Sequence, residues 1–299
     1  MSVAFRSAKV ALIRGAKGDN DLPTMNRGQA MRFDNRTALI TGGTQGIGAS
    51  IAIALAKAGA SVVIHGLVRD AAAEATLAAC QTYCSANSAQ CHLVLADLMV
   101  DPNESINPLC NQVTSLVDSI DLLVNNAGAF IDKPFLDMNV ETFEKTFRLN
   151  VASGYFITQF FARRWIQSQK HGRVLFTGSI NGFLAEPNHT AYDASKAAVA
   201  GLVRSLCVAL APHNIRVNSI APGLMQTPLT NQVLVSDPAT LEWMKLHTPN
   251  NQVPSADACA GAALFLLSDL AEHIHGQTIF IDGGMSAWQQ PDLPNNLRQ

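Results

Sequence analysis

Charge of either sign is scarce in this chain: 15% of its 299 residues are Asp, Glu, Lys or Arg, and the formal net charge is -2. So neutral a surface exerts no general pull on nucleic acid or an anionic membrane, which leaves a small molecule as the expected partner. Nowhere do roughly 18 apolar residues run together, as a spanning helix requires, so no membrane span is expected. The six cysteines (Cys80, Cys84, Cys91, Cys110, Cys207, Cys259) lack zinc-type paired spacing, and Cys80 and Cys84 have no second pair nearby. No metal is expected. They read as free thiols, buried or half-buried, in a reducing compartment, and the expected location is cytoplasmic. Internal repeats and low-complexity segments are also missing.

What is abundant is apolar residue, at 48%, enough for a large core. No linker-like run interrupts the middle, so residues 31–299 are expected to form one domain. The first thirty residues differ, with Arg6, Lys9, Arg14, Lys17 and Arg27 among small polar residues and only Asp19 and Asp21 as acids. Their basic character also fits an organelle-targeting segment. The preferred reading is a disordered extension, with Met31 a possible start of the functional chain. A polar, proline-containing tail follows from about residue 286, and its end, Trp288 to Gln299, either is disordered or lies across a neighbouring subunit.

From Thr37 onward the pattern is regular. Thr37 to Ile40 reads as a buried strand, and Ile47, Ile51, Ala54, Leu55 and Ala58 form a helical stripe ended by Gly59. Further strands are expected at Ser61–His65, Cys91–Leu95, Leu122–Asn125, Arg173–Thr177, Ile215–Ile220 and Thr278–Ile281, with helical stretches between them, one running from Asp70 to about Cys84. Seven apolar strands alternating with helices predict an α/β fold, a Rossmann-like doubly wound parallel sheet with helices on both faces. Ligands of such sheets bind at the carboxyl ends of the strands, and every motif below falls at such an end.

Between the first strand and its helix lies Thr41-Gly42-Gly43-Thr44-Gln45-Gly46-Ile47-Gly48. Glycines permit a tight turn and a close backbone approach, and free amides at a helix N-terminus suit a pyrophosphate. The spacing is not Gly-x-Gly-x-x-Gly, so by itself the stretch equally describes a turn that packs a helix on a strand. The second strand ends in Ile64-His65-Gly66-Leu67-Val68-Arg69. A free ribose hydroxyl would want an acid there, and none stands there, so NADP is weakly preferred over NAD, with Arg69 the nearest cation or an ordinary surface residue. Asp97 and Leu98 follow the third strand, where they contact an adenine or where Asp97 caps the next segment. Asn125-Asn126-Ala127-Gly128 ends the fourth, either admitting a cofactor closely or satisfying buried backbone.

The chemistry centres on Ser179 and on Tyr192-Asp193-Ala194-Ser195-Lys196. A phenol and an ammonium four residues apart share a helix face. The positive charge should make Tyr192 more acidic, which suits acid/base work. Alone, this is a common pair on a solvated helix.

In combination, Thr41-Gly42-x-x-x-Gly46-x-Gly48, Asn125-Asn126-Ala127-Gly128, Asn150, Ser179, Tyr192-x-x-x-Lys196, Pro222-Gly223 and the closing Asp282-Gly283-Gly284 resemble, in order and spacing, the classical short-chain dehydrogenases/reductases. The resemblance covers roughly Met31 to Met285. It implies a nicotinamide cofactor, NAD(P)(H), and frequently a tetramer. It also implies that Tyr192 is the acid/base, Ser179 holds the carbonyl oxygen, Lys196 also contacts the nicotinamide ribose, and Asn150 holds a water linking Lys196 to solvent. Thr227, in the turn opened by Pro222 and Gly223, would lie at the carboxamide. Two positions depart from NADP-preferring members: Gln45 stands where many have a base, and Leu67 where many have arginine.

The expected activity is hydride transfer between the cofactor and the carbonyl or alcohol carbon of a small polar substrate. Asn181, Glu186, Asn188 and His189, between the serine and the tyrosine, suit a sugar, a polyol or a small hydroxy compound, or only order their own loop. An alternative is a 3-oxoacyl thioester on a carrier protein, docked on Arg163, Arg164, Lys170 and Arg173. A further alternative is a regulatory protein that binds the cofactor without turnover. Residues Leu229 to Pro249 read as a mobile lid or a fixed helical pair. The helix from Tyr192 to Leu210 carries Ala197, Val199, Leu202, Val203, Leu206 and Val208, more apolar surface than one sheet-facing stripe needs, which suits a subunit interface; the resemblance makes the expected assembly a homotetramer or homodimer.

Overall fold

The computed structural model describes residues 31–228, 230 and 238–288. The basic extension 1–30, residues 229 and 231–237 of the candidate lid and residues 289–299 of the tail lie outside the described residues.

The seven expected strands all form: β1 Thr37–Ile40, β2 Ser61–Gly66, β3 Cys91–Leu95, β4 Leu122–Asn125, β5 Arg173–Thr177, β6 Arg216–Pro222 and β7 Thr278–Ile281. They make one parallel sheet in the order β3-β2-β1-β4-β5-β6-β7. The main helices are α1 Gly46–Lys57, α2 Ala71–Ala86, α3 Pro102–Leu116, α4 Val140–Phe147, α5 Ser153–Ser168, α6 Thr190–Leu210, α7 Pro238–Leu246 and α8 Ala260–Leu267.

Side-chain alternation along each strand explains why both faces are apolar. Ala38, Ile40, Val62, Ile64, Leu122, Val124 and Leu175 point to one face, where Ile51, Leu55, Leu77, Cys80 and Leu266 cover them from α1, α2 and α8. Leu39, Val63, Leu123, Val174 and Phe176 point to the other, under Leu109 and Val113 of α3, Ile157, Phe161 and Trp165 of α5, and Val199 and Val203 of α6. Trp165 is fixed by its own polar atom, since Nε1 donates to Ile120 O at 2.5 Å. Local signals place the helix starts: Asp70 accepts from Ala73 N–H and Asp101 from Asn103 N–H, both at 2.8 Å.

β1 pairs with β2 on one side and β4 on the other, so the sheet order reverses there. The crevice at the carboxyl ends of β1 and β4 is where such a sheet receives a ligand. At the opposite end, the buried Arg216 guanidinium donates to Leu266 O, Ser268 O and Ala271 O at 2.8–2.9 Å, satisfying carbonyls at the end of α8. The cations Arg163, Arg164, Lys170 and Arg173 belong to that opposite end as well: Arg163 and Arg164 on the last turns of α5, Lys170 just past it and Arg173 at the start of β5. Arg173 is ion-paired to Asp269, and Arg164 lies over the Phe160 ring. They cannot form a docking patch at the mouth of the site, because α5 runs antiparallel to the strands and carries them away from it.

Candidate active site

The turn from Thr41 to Gly46 is shaped by contacts that leave a helix end open. Gly42 has φ +59°, which a side chain would strain, and a Cβ at Gly48 would come within 2.2 Å of Gly42 O. Gln45 supplies no side-chain cap to α1, and the first turn carries no acid. The helix N-terminus therefore keeps its positive end free, and a pyrophosphate fits this chemistry. Gly46 faces Thr227 and Pro228, so the turn after β6 lies opposite the glycine loop.

Two side chains hold this loop: Asn126, in the backbone-satisfying role that is one alternative for the end of β4, and His65, which the residues alone do not mark. Asn126 Nδ2 donates to Thr41 O and Gly42 O at 3.1 and 2.9 Å, while Thr41 Oγ1 accepts the main-chain N–H groups of Asn126 and Ala127. His65, at the end of β2, accepts Gly42 N–H on Nδ1 at 3.2 Å and meets Ala96 O with Nε2 at 3.1 Å. Those partners define the neutral tautomer with the proton on Nε2. Burial pushes the imidazole down to about 4, so it stays neutral near pH 7. Its position at a strand end where a carboxylate was sought was the available signal.

Other expected cofactor residues are redistributed. Asn125 is buried and gives its amide to Thr158 Oγ1 at 2.9 Å, against α5 rather than the glycine loop. The Leu98 side chain is buried in the core, so only its main chain is left to meet an adenine. Asp97 accepts Met99 N–H at 2.8 Å, the capping role that was its alternative. Arg69 is exposed and ion-paired to Glu74. Thr44 accepts the Thr76 hydroxyl on its carbonyl at 2.8 Å and packs against Gly66. Ile47 packs on the core, and Gly223 sits against Asp282 at the end of β6 that Pro222 closes. Ala127 and Gly128 border the crevice, with the space at Gly128 bounded by Asn150 Oδ1 and Lys196 Nζ.

Beside the crevice, Ser179, Tyr192, Lys196 and Asn150 converge from β5, α6 and a π-helical turn, Arg148–Ala152, that joins α4 to α5. Ser179 Oγ accepts Asn181 N–H at 3.1 Å, which aims the hydroxyl, and Asn181 is held in turn by Asp193 at 2.8 Å. Lys196 is buried and donates to Thr177 O at 3.0 Å, with Nζ 5.6 Å from the Tyr192 ring centre. Asn150 accepts Ala129 N–H and donates to Ala129 O and Ser195 Oγ, tying the crevice loop to α6. Its side chain is engaged with protein on every polar atom, so a bridging water has to use a remaining oxygen lone pair or its main chain.

The electrostatics correct one expectation. Burial pushes the Tyr192 phenol up to about 12, with the Ser179 hydroxyl opposing the rise, and burial pushes Lys196 down to about 8. Desolvation is the largest cause of the phenol's rise, and the nearby Asp193 and Glu186 carboxylates add to it. Of the candidate lid, α7 is described: Trp243 stacks on His247 at 4.1 Å, and Met244 is buried.

A family model described as enoyl-(acyl carrier protein) reductase matches residues 42–286. A 3-oxoacyl-[acyl-carrier-protein] reductase of Aquifex aeolicus is 34% identical over 85% of this chain and 99% of its own length. An L-rhamnose 1-dehydrogenase (NADP(+)) of Thermoplasma acidophilum is 33% identical over 85% of this chain and 97% of its own. Among solved structures, a gluconate 5-dehydrogenase from Burkholderia cenocepacia, in complex with NADP and tartrate, superposes with TM-score 0.78 at 31% identity, covering 87% of this chain and 99% of that one. From the glycine turn to the last strand the match is continuous in sequence and in fold, and the chain belongs to the short-chain dehydrogenase/reductase family.

Proposed function

We propose that this oxidoreductase moves a hydride between a nicotinamide cofactor and the carbonyl or alcohol carbon of a small polar substrate, with Tyr192, Ser179, Lys196 and Asn150 as its working set. The observation that carries the reading is the convergence of a buried lysine, a tyrosine and a serine beside an uncapped helix N-terminus at the sheet's crevice. The glycine turn would hold a nicotinamide cofactor, which would supply the hydride in reduction and accept it in oxidation.

The rest is the work of this chain. As a substrate carbonyl is reduced, negative charge develops on its oxygen, and Tyr192 delivers its proton there; in oxidation the phenolate takes the hydroxyl proton. Ser179 donates a hydrogen bond to the same oxygen, its own lone pair held by Asn181 N–H. Lys196 favours the phenolate form that remains. Asn150 holds the loop and helix that frame the pair.

Gly42, Thr44, Gln45, Gly46, Ile47 and Gly48 would hold the pyrophosphate in this reading, and Gly128, Pro222, Gly223 and Thr227 the nicotinamide. NADP is the preferred form. No acid stands at the end of β2, and the Arg69–Glu74 pair is exposed, so releasing Arg69 costs little. Relatives named for or crystallised with NADP support the same choice. Residues 31–299 act as one catalytic domain. Cytoplasmic residence fits six unpaired thiols. Assembly with further copies fits the exposed Val140 and Phe143 on α4 and Val208 on α6, apolar side chains 73%, 42% and 76% exposed. The test is NADH and NADPH oxidation, and the reverse reaction, across ketones, sugars, polyols and acyl thioesters. Cofactor binding with no turnover of any of them would instead mark a binding protein.

A further inference from the structure

Beside Tyr192 lies a cluster of side chains that take no part in proton transfer. His189 stands at the N-cap of α6, three residues before Tyr192. The Phe130 ring meets both edge-on, its centre 4.5 Å from that of His189 and 5.0 Å from that of Tyr192. Carboxylates face both imidazole nitrogens, Glu186 Oε2 at 3.1 Å from Nδ1 and Asp132 Oδ1 at 3.7 Å from Nε2. Glu186 is also linked to the serine, because Asn181 holds Ser179 by its main chain and donates from its side chain to Glu186 Oε1 at 3.3 Å. The two loops are stitched together where Lys133 N–H donates to Asn188 O at 3.1 Å.

This wall has unspent hydrogen-bonding capacity. His189 Nδ1 is shielded from solvent and, for all its closeness to Glu186, lacks an aligned hydrogen bond. Asp132 and Glu186 keep 60% and 37% of their side-chain surface exposed. Carboxylates accept from hydroxyl groups, imidazole can do either, and an aromatic ring covers the C–H face of a sugar. A carboxylate on the substrate would meet like charge. At about 6 Å, and with an effective dielectric of about 40 for carboxylates as exposed as these, that repulsion is on the order of 10-fold in affinity per facing charge. The buried Lys196 does not cancel it, since its ammonium is engaged with Thr177 O.

We propose that Phe130, Asp132, Glu186 and His189 form the specificity wall of the site and select a neutral polyhydroxylated substrate, an aldose or polyol, against the corresponding aldonate. The proposal rests on the hydride-transfer reading above. The full chain is assayed for NADP-linked oxidation of matched pairs, a hexitol or aldose and the aldonate that replaces one terminal carbon by a carboxylate. The same compounds are titrated calorimetrically into cofactor-loaded Tyr192→Phe protein, so that binding is read without turnover. The neutral member of each pair is expected to have the higher kcat/KM and the tighter binding by about 10-fold or more, and Glu186→Gln and Asp132→Asn each to shrink that ratio several-fold. Asp132 is exposed, so its variant carries the test if the Glu186 variant does not fold. Preference for aldonates, or a ratio unmoved in both variants, overturns the wall while leaving hydride transfer intact. Bound cofactor with no turnover of any alcohol or carbonyl overturns the underlying reading and the wall with it.

Discussion

Lys196→Met should make this protein more stable while stopping its chemistry. The lysine is buried, and burial lowers it from 10.5 to about 8. Keeping it protonated at pH 7 therefore costs the folded state about 3 kcal/mol relative to the unfolded chain, where it titrates normally. Methionine fills a similar apolar stem and removes the charge, but it leaves Thr177 O without the 3.0 Å hydrogen bond, a loss of about 1 kcal/mol. The net expectation is a gain of about 2 kcal/mol at pH 7, read as a higher urea midpoint with unchanged slope. The pH dependence is the sharper test. Between about pH 8 and 10.5 the unfolded chain holds the lysine proton and the folded chain does not, so the stability contributed by this residue rises with pH through that window. The gap between wild type and variant should accordingly close as pH approaches 10.5. A variant less stable than wild type at pH 7, with a gap independent of pH, would refute the claim that Lys196 is held at an electrostatic cost.

Tyr192→Phe keeps the ring contact with Phe130 but removes the proton, so kcat should fall by at least about 1000-fold with cofactor affinity, read by fluorescence titration, nearly intact. Retained turnover sinks the acid/base assignment. His65→Phe strands Gly42 N–H and Ala96 O, and should weaken cofactor binding and cost about 2–4 kcal/mol in urea unfolding. Wild type should also lose up to about 3 kcal/mol through this group as pH falls from 6.5 to 4, because the unfolded imidazole takes a proton that the buried one refuses; the Phe variant should lack that component. Arg216→Met uncaps the end of α8 at the far end of the sheet, so about 2–4 kcal/mol of stability should go while KM stays as in wild type. A KM change there would show coupling between the two ends.

Much of the fold was legible because it rests on local periodicity. Apolar runs such as Leu122–Asn125 and Thr278–Ile281 have the length and composition of buried strands, and β1, β3, β4, β5 and β7 begin and end where the residues predict. The glycine turn and the Tyr192–Lys196 pair were legible for a related reason: spacing along a turn or a helix is itself a geometry. Roles set by partners distant in sequence were not. Nothing in the residues near Asn125 or Leu98 says that one gives its amide to Thr158 and the other joins the core, and nothing near Asn126 or His65 says that each reaches back to Gly42. The direction of the Tyr192 shift is set by the solvent that packing removes, which cannot be counted along a helix as a neighbouring charge can. The sequence by itself determined the strand and helix order and which side chains carry chemistry, since those depend on residue type and period. Only the tertiary structure decided which of them meet and how dry their surroundings are, because burial and long-range hydrogen bonds exist only once the two faces of the sheet are covered.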